Sequence, residues 1–183
     1  MKHSSNLQTR SLLAMLFLFT LCISCEKDTD NNLTCKTSKT TEKIYFDGIS
    51  ATDANGSPLS SPDTEDWNTS ATWTTQETEL FSQDQLPCPT QATQKIYPAY
   101  PNPTQGDFAF LVENAAVSDL QLRFVDENFQ VIATYEYSQL AAGPNILNFD
   151  FQDRNLNDTI RLYYKVIQAD CAFKGQGDIL LTQ

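Results

Sequence analysis

IYPAYPNPTQGDFAFLVE, residues 96–113, joins a proline-rich segment to a run of alternating apolar residues. Proline has no backbone N–H to donate to a sheet, so we expect the first half to be a stiff connection. In the second half, Phe108, Phe110 and Val112 alternate with smaller or polar residues, which is typical of a β-strand with one buried face. The stretch therefore marks the start of a β-sheet domain.

The same alternation recurs four times towards the carboxyl end, in short segments separated by turn residues. The apolar faces are Leu120, Leu122 and Phe124; Val131, Ala133, Tyr135 and Tyr137; Leu147, Phe149 and Phe151; and Ile160, Leu162, Tyr164 and Val166. A final hairpin is predicted to pair residues 171–173 with residues 179–181 around Gly175–Gly177. Short alternating segments of this kind predict an all-β fold, an antiparallel β-sandwich.

The sandwich domain is predicted to span residues 96–183. The residues before it show a less regular pattern of apolar positions. Residues 43–95 are predicted to be an N-terminal extension with one β-segment, Ile44–Ile49, and a short helical turn. Thr74 is followed three residues later by Glu77, which is the sequence pattern of a capping box at a helix start.

The amino-terminal segment has the three parts of a secretory signal. Lys2 and Arg10 provide charge, an apolar run follows at residues 12–19, and the small residue Ser24 precedes Cys25. The run is shorter than the roughly 20 residues that cross a bilayer. Cleavage before Cys25 would make this cysteine the first residue of the mature chain.

This arrangement resembles the signal peptide of bacterial lipoproteins. The resemblance implies that residues 1–24 are removed, that Cys25 is acylated and that the protein is held in the cell outer membrane by lipid. Residues 25–42 are polar and lack periodicity, so they are predicted to be a flexible tether. We expect a lipoprotein of the cell envelope that faces the periplasm or the cell surface. The alternatives are an ordinary cleaved signal with an incidental cysteine, or an uncleaved anchor.

Composition excludes several function classes. Only His3 and two of the 12 basic residues precede Cys25, so the mature chain has 10 bases against 23 acids, a formal charge of −13, and no histidine. Nucleic acid is therefore not an expected partner, because binding phosphates needs clustered lysine and arginine. Catalysis that uses an imidazole base and metal sites built on histidine are excluded. We predict no catalytic residue, no metal site and no cofactor.

Three cysteines remain after the acylation site, namely Cys35, Cys88 and Cys171. An odd number in an oxidising compartment predicts one disulfide and one thiol left over. Cys88 with Cys171 is preferred, because each lies near one end of the sandwich domain. Cys35 with Cys88 is the leading alternative.

Trp67 and Trp73 lie six residues apart in the extension. Two tryptophans can form a stacking surface for a carbohydrate, so both are candidate ligand-stacking residues. Tryptophan more often anchors an irregular segment against a core, and we favour that interpretation.

The residues 100–104, Tyr-Pro-Asn-Pro-Thr, with Gly106 and Phe108 after them, resemble the start of the type A C-terminal sorting domain of type IX secretion cargo. The later sequence is similar in a strand that ends at Asp126, a partner strand from Val131, a turn at 140–143 and a closing strand at 164–167. The resemblance covers about half of the mature chain. It implies an immunoglobulin-like seven-strand sandwich that the secretion machinery reads.

The sequence thus predicts a lipid-anchored, non-catalytic binding or assembly module. Its partner would be a protein or glycan of the envelope, contacted through the loops or an edge strand of the sandwich. The alternative is type IX secretion cargo whose C-terminal domain is a sorting signal.

Overall fold

The computed structural model describes residues 24–27, 33–36, 42–82, 85–89, 94–152 and 158–182. The chain divides into two compact units, Met1–Thr40 and Thr41–Gln183.

The described part of the first unit is a β-hairpin. Strand β1, Ser24–Lys27, pairs antiparallel with β2, Leu33–Lys36, and Cys25 lies directly across from Cys35. These two segments of the predicted tether, residues 25–42, are therefore paired strands. Each is only four residues long, which is too short for side-chain periodicity to reveal the pairing of the backbone.

The second unit is a sandwich of two β-sheets with one short helix among its described residues. Its elements are α1, Thr75–Thr78; β3, Leu86–Pro87; β4, Lys95–Ile96; β5, Asp107–Asn114; β6, Ser118–Val125; β7, Val131–Leu140; β8, Gly143–Asp150; β9, Thr159–Gln168; and β10, Cys171–Leu180. The larger sheet has the order β3-β10-β9-β6-β7 and the smaller sheet has the order β4-β5-β8. All strand pairs are antiparallel except the short pair of β3 with β10. The predicted all-β sandwich is confirmed.

Alternate side chains of the long strands fill the space between the two sheets. The buried side chains include Phe108, Phe110 and Val112 of β5, Leu120, Leu122 and Phe124 of β6, Phe149 of β8, and Ile160, Leu162, Tyr164 and Val166 of β9. These are faces that the sequence predicted. The ring of Phe124 lies 5.0–6.0 Å, between ring centres, from four other aromatic rings. Burying each such ring stabilises the fold by about 1.5–3 kcal/mol.

One predicted face is interrupted in β7. Phe124 pairs with Ala133, but Val125 pairs with Val131, so Ile132 is an extra residue and forms a β-bulge. The bulge reverses the alternation. Val131, predicted to share the buried face, is 51% exposed, and Ile132 packs against the core instead.

The predicted final hairpin around Gly175–Gly177 is wrong. Strand β10 runs unbroken through these glycines and pairs with β9 along its whole length, and the tight turn lies at residues 169–170. The glycines are needed for packing: a Cβ at Gly177 would overlap the Trp67 ring, and one at Gly175 would overlap Tyr164. A close approach of this kind is a second reason for glycine within a strand.

Two parts of the extension, residues 44–46 and 73–81, cover the face of the larger sheet that points away from the smaller one. The cluster on this face comprises Ile44, Phe81, Val125 and Tyr163, with Phe46, Trp73, Leu80 and Phe129 partly buried around it. The predicted β-segment Ile44–Ile49 is not a strand. Its apolar residues pack onto the sheet, and the Ile44 N–H donates to the Glu127 carbonyl oxygen at 2.8 Å.

The predicted capping box is confirmed at the start of α1. The Thr74 hydroxyl accepts a hydrogen bond from the Glu77 N–H at 3.3 Å, and the Glu77 carboxylate accepts one from the Thr74 N–H at 2.6 Å. The same carboxylate accepts a hydrogen bond from the Tyr163 hydroxyl of β9 at 2.8 Å. The helical turn is thereby fixed to the sheet.

A disulfide joins Cys88 and Cys171, the pair that the sequence analysis preferred, with their Cα atoms 4.8 Å apart. It lies beside the pairing of β3 with β10. The predicted boundary between residues 95 and 96 falls inside one compact unit, because the extension contributes this cysteine, β3 and Trp67 to the sandwich.

Candidate functional site

An open groove of about 470 Å³ lies on the smaller sheet. Its lining residues are Ala54, Tyr100, Pro101, Asp107, Phe108, Ala109, Asn148, Phe149 and Asp150. The side chains of Phe108 and Phe110 face the core, so Asp107 and Ala109 occupy the outward positions of the same strand. The groove falls in the size range of small-molecule sites, about 300–1,000 Å³.

Tyr100 forms the aromatic side of the groove. Its N–H donates to the Ala109 carbonyl oxygen at 2.9 Å, and its own carbonyl accepts from the Ala109 N–H at 2.7 Å. Gly56, in the left-handed region at φ +81°, lies against the ring, and a Cβ there would be 3.4 Å from the nearest ring atom. The Asp53 carboxylate fixes this loop by accepting bonds from two backbone N–H groups, at 2.8 and 2.9 Å.

Two carboxylates form the polar side. Asp107 of β5 and Asp150 of β8 are directly opposed in the ladder. Gln152 bridges them, because its side-chain amide donates to Asp107 and its N–H donates to Asp150 at 2.9 Å. Within the described ranges, neither carboxylate forms an ion pair with a lysine or arginine. Each carboxylate has two oxygens that can accept several hydrogen bonds, and the bond from Gln152 uses only one of these positions, so both can accept donors from a ligand.

Asn148 adds an amide beside these carboxylates. It lies opposite Ala109 in the ladder and its side chain is exposed. The amide offers both donors and an acceptor. An aromatic ring, a small flat floor at Ala109 and a set of acceptors and donors together suit a ligand that has an apolar face and several hydroxyl groups.

The two tryptophans do not form one stacking surface. Trp67 is 7% exposed and its ring stacks on Tyr164 at 6.3 Å, in the core between the sheets. Trp73 stacks on Phe81 at 4.9 Å and meets the edge of Tyr163, on the other face of the larger sheet. Trp67 therefore anchors the extension in the core, as the favoured interpretation expected. A ligand stacked on Trp73 would bind to the larger sheet, whereas the groove lies on the smaller sheet.

The remaining predictions concern an acylated Cys25 and the expected lack of a metal site. Cys25 lies in β1, directly across from Cys35 of β2. In the part of the chain that the structure describes, no three cysteine, histidine or carboxylate side chains come together as metal ligands. No helix in that part is long and apolar enough to cross a membrane.

The groove residues were not predicted as a site. Tyr100 lies in the segment that the sequence predicts to be a stiff connection. Asp107, Asn148 and Asp150 occupy outward strand positions, which are commonly polar in antiparallel sheets. They meet only through the register of β5 with β8. The sequence signal that could have indicated this site is an acidic residue at the start of β5 and another at the end of β8, since these two positions are paired.

No family model matches the chain, and neither a curated protein nor a solved structure is significantly similar to it.

Proposed function

We propose that this chain is a lipid-anchored protein of the bacterial cell envelope that acts as a non-catalytic binding module and takes a saccharide in the Tyr100 groove. The observation that carries the binding role is the groove itself, with its aromatic side and the acceptor groups of Asp107, Asn148 and Asp150. The anchor rests on the sequence around Cys25.

The ligand we propose is neutral. The mature chain has a formal charge of −13, with 10 bases against 23 acids, and the groove contains two carboxylates without an ion-pair partner among the described residues. An anionic glycan would be repelled by this field. A neutral sugar instead donates hydroxyl hydrogens to the carboxylates and places its apolar face on Tyr100.

The test of binding is calorimetric titration of the whole mature protein with a panel of soluble neutral oligosaccharides, namely tetramers of glucose, mannose, galactose and N-acetylglucosamine. We expect at least one to bind, and Asn148→Ala and Asp150→Ala each to weaken it roughly fivefold, since each removes a hydrogen bond worth about 1 kcal/mol.

The matched control is Ile146→Ala. Ile146 is 58% exposed and lies on the same strand as Asn148, two residues before it, but does not line the groove. Binding should be unchanged in this variant. Absence of binding to every oligosaccharide, or equal weakening in all three variants, would rule out the groove as a neutral-saccharide site.

The anchor can be tested through the count of free thiols. Directly opposed residues of an antiparallel pair have Cα atoms about 4.5–5.5 Å apart, a separation that a disulfide can bridge. Cys25 would therefore be able to bond to Cys35 unless lipid occupies its sulfur. We expect protein purified from membranes to show one maleimide-reactive thiol, Cys35, and a lipid mass on Cys25. A chain with no reactive thiol and an unmodified amino terminus would refute the anchor.

Sorting by type IX secretion is a second candidate function, favoured by the resemblance at residues 100–104. Because Trp67 and Cys88 belong to the sandwich, the reporter should be fused to residues 42–183 rather than to 96–183. Release of the reporter into the medium, with removal of the fused domain, would support this function. Retention in the envelope would count against it.

A further inference from the structure

A segment of the extension, residues 66–71, runs along β10 and is held to it by hydrogen bonds. The Trp67 N–H donates to the Gln176 carbonyl oxygen at 2.6 Å, and the Asp178 N–H donates to the Asp66 carboxylate at 3.4 Å. These bonds keep the Trp67 ring in the core. Any force that separates the segment from the strand would therefore expose this ring.

The Asp178 carboxylate is already paired with the guanidinium of Arg161. This carboxylate is 2% exposed and accepts two bonds from Arg161, at 2.7 and 2.8 Å. The guanidinium also donates to the Tyr45 carbonyl oxygen and lies over the Phe46 ring. Arg161 is thus committed to Asp178 and to the extension, in the bidentate geometry that makes such pairs strong.

Asp66 is a second acid beside this pair and has no ion-pair partner of its own within the described ranges. The charged or titratable groups that face it are Asp178, Asp63, Tyr164 and Arg161. Burial, and then the charge of Asp178, raise the Asp66 pKa from 3.8 to about 7. The hydrogen bond from the Asp178 N–H lowers this pKa, the charge of Asp63 raises it, and the charge of Arg161 lowers it.

We propose that residues 66–71 form a pH-sensitive latch on β10, closed while the Asp66 carboxyl is neutral and loosened when it becomes a carboxylate beside Asp178. A neutral Asp66 still accepts the Asp178 N–H without placing two negative charges together. A charged Asp66 is unfavourable in the closed position, because burial disfavours the carboxylate ion and the nearest cation, Arg161, is already paired with Asp178.

The direction of the pH effect follows from proton binding. The folded protein keeps the Asp66 proton up to about pH 7, whereas the unfolded chain loses it near pH 3.8. The contribution of Asp66 to stability is therefore complete below the lower value and falls as pH rises to the higher one. The latch should open through neutral pH and not in acid.

Trp67 provides the readout. In a Trp73→Phe background it is the only tryptophan, and its emission and acrylamide quenching can be followed from pH 5 to 9. We expect a shift to longer wavelength and stronger quenching with a midpoint of about 7. Asp66→Asn, which keeps an acceptor but cannot ionise, should abolish the transition. Asp170→Asn, in an exposed turn, should preserve it.

A flat profile in the Trp73→Phe protein, or the same transition after Asp66→Asn, would overturn the latch. If Asp66→Asn does not fold, NMR of the Trp73→Phe protein decides. The chemical shifts of the Asp66 carboxyl carbon and of the Trp67 indole N–H are followed against pH. Equal midpoints would support the latch, and separate midpoints would refute it.

Discussion

Asn102 joins three parts of the fold through one side chain. It is fully buried; its amide donates to the Ser50 carbonyl at 3.2 Å and the Asp178 carbonyl at 2.9 Å, and its oxygen accepts from the Leu180 N–H at 2.9 Å. The sequence singled out Asn102 only as part of a family resemblance. The hydrogen bonds give a structural reason for this residue, since a buried backbone group needs a partner.

Asn102→Ala is expected to destabilise the protein by about 2–4 kcal/mol, because it leaves one buried N–H and two carbonyl groups without their bonds. Urea unfolding of the two proteins measures the difference. Asn128→Ala is the control, since Asn128 lies in an exposed turn. Equal stability of the Asn102 and Asn128 variants would show that the buried amide is dispensable.

The strands show where local pattern predicts structure and where it does not. Alternating apolar residues predicted β5, β6, β8 and β9, because burial of one face imposes a period of two. The bulge at Ile132 and the unbroken course of β10 depend on contacts with distant residues. Gly177, for example, resembles a turn residue until Trp67, 110 positions earlier, is placed against it.

Gly177→Ala should therefore destabilise the sandwich by more than about 2 kcal/mol, because the new methyl group must displace the buried Trp67 ring. Gly143→Ala is the comparison: its φ is +97° but no atom lies within 4 Å of the new Cβ. Only backbone strain, about 1 kcal/mol, applies there. Thermal unfolding ranks the two variants, and a smaller loss at Gly177 would contradict the packing explanation.

The extension and the sandwich belong to one compact unit, Thr41–Gln183. Cys88 and Cys171 are 83 residues apart in sequence and their disulfide ties the end of the extension to β10. The sequence could prefer this pair from its position near the domain ends. It could not show that residues 44–46 and 73–81 cover the outer face of the larger sheet, because charged residues such as Arg123 on that face are typical of a solvent-exposed surface.

Replacing both Cys88 and Cys171 by alanine should lower the free energy of unfolding by about 3–4 kcal/mol, because the unfolded chain regains the freedom that a long closed loop removes. The comparison is made in a Cys35→Ser background, so that no other disulfide can form. Unchanged urea midpoints in the two proteins would mean that the disulfide contributes no stability.

The candidate site was less predictable than the fold. Tyr100, Asp107, Asn148 and Asp150 come together through strand register and through the loop at Gly56, neither of which has a local signal. Outward polar residues are the normal condition of a sandwich strand. A site built from them becomes visible only when the strands are aligned.

The most direct test of the binding role is a ¹H–¹⁵N NMR titration of the whole mature protein with the neutral oligosaccharides. We expect chemical-shift changes concentrated at the backbone N–H groups of Ala109, Asn148 and Asp150, and no change at those around Trp73. Shifts centred on Trp73, or no shifts at millimolar saccharide, would contradict it.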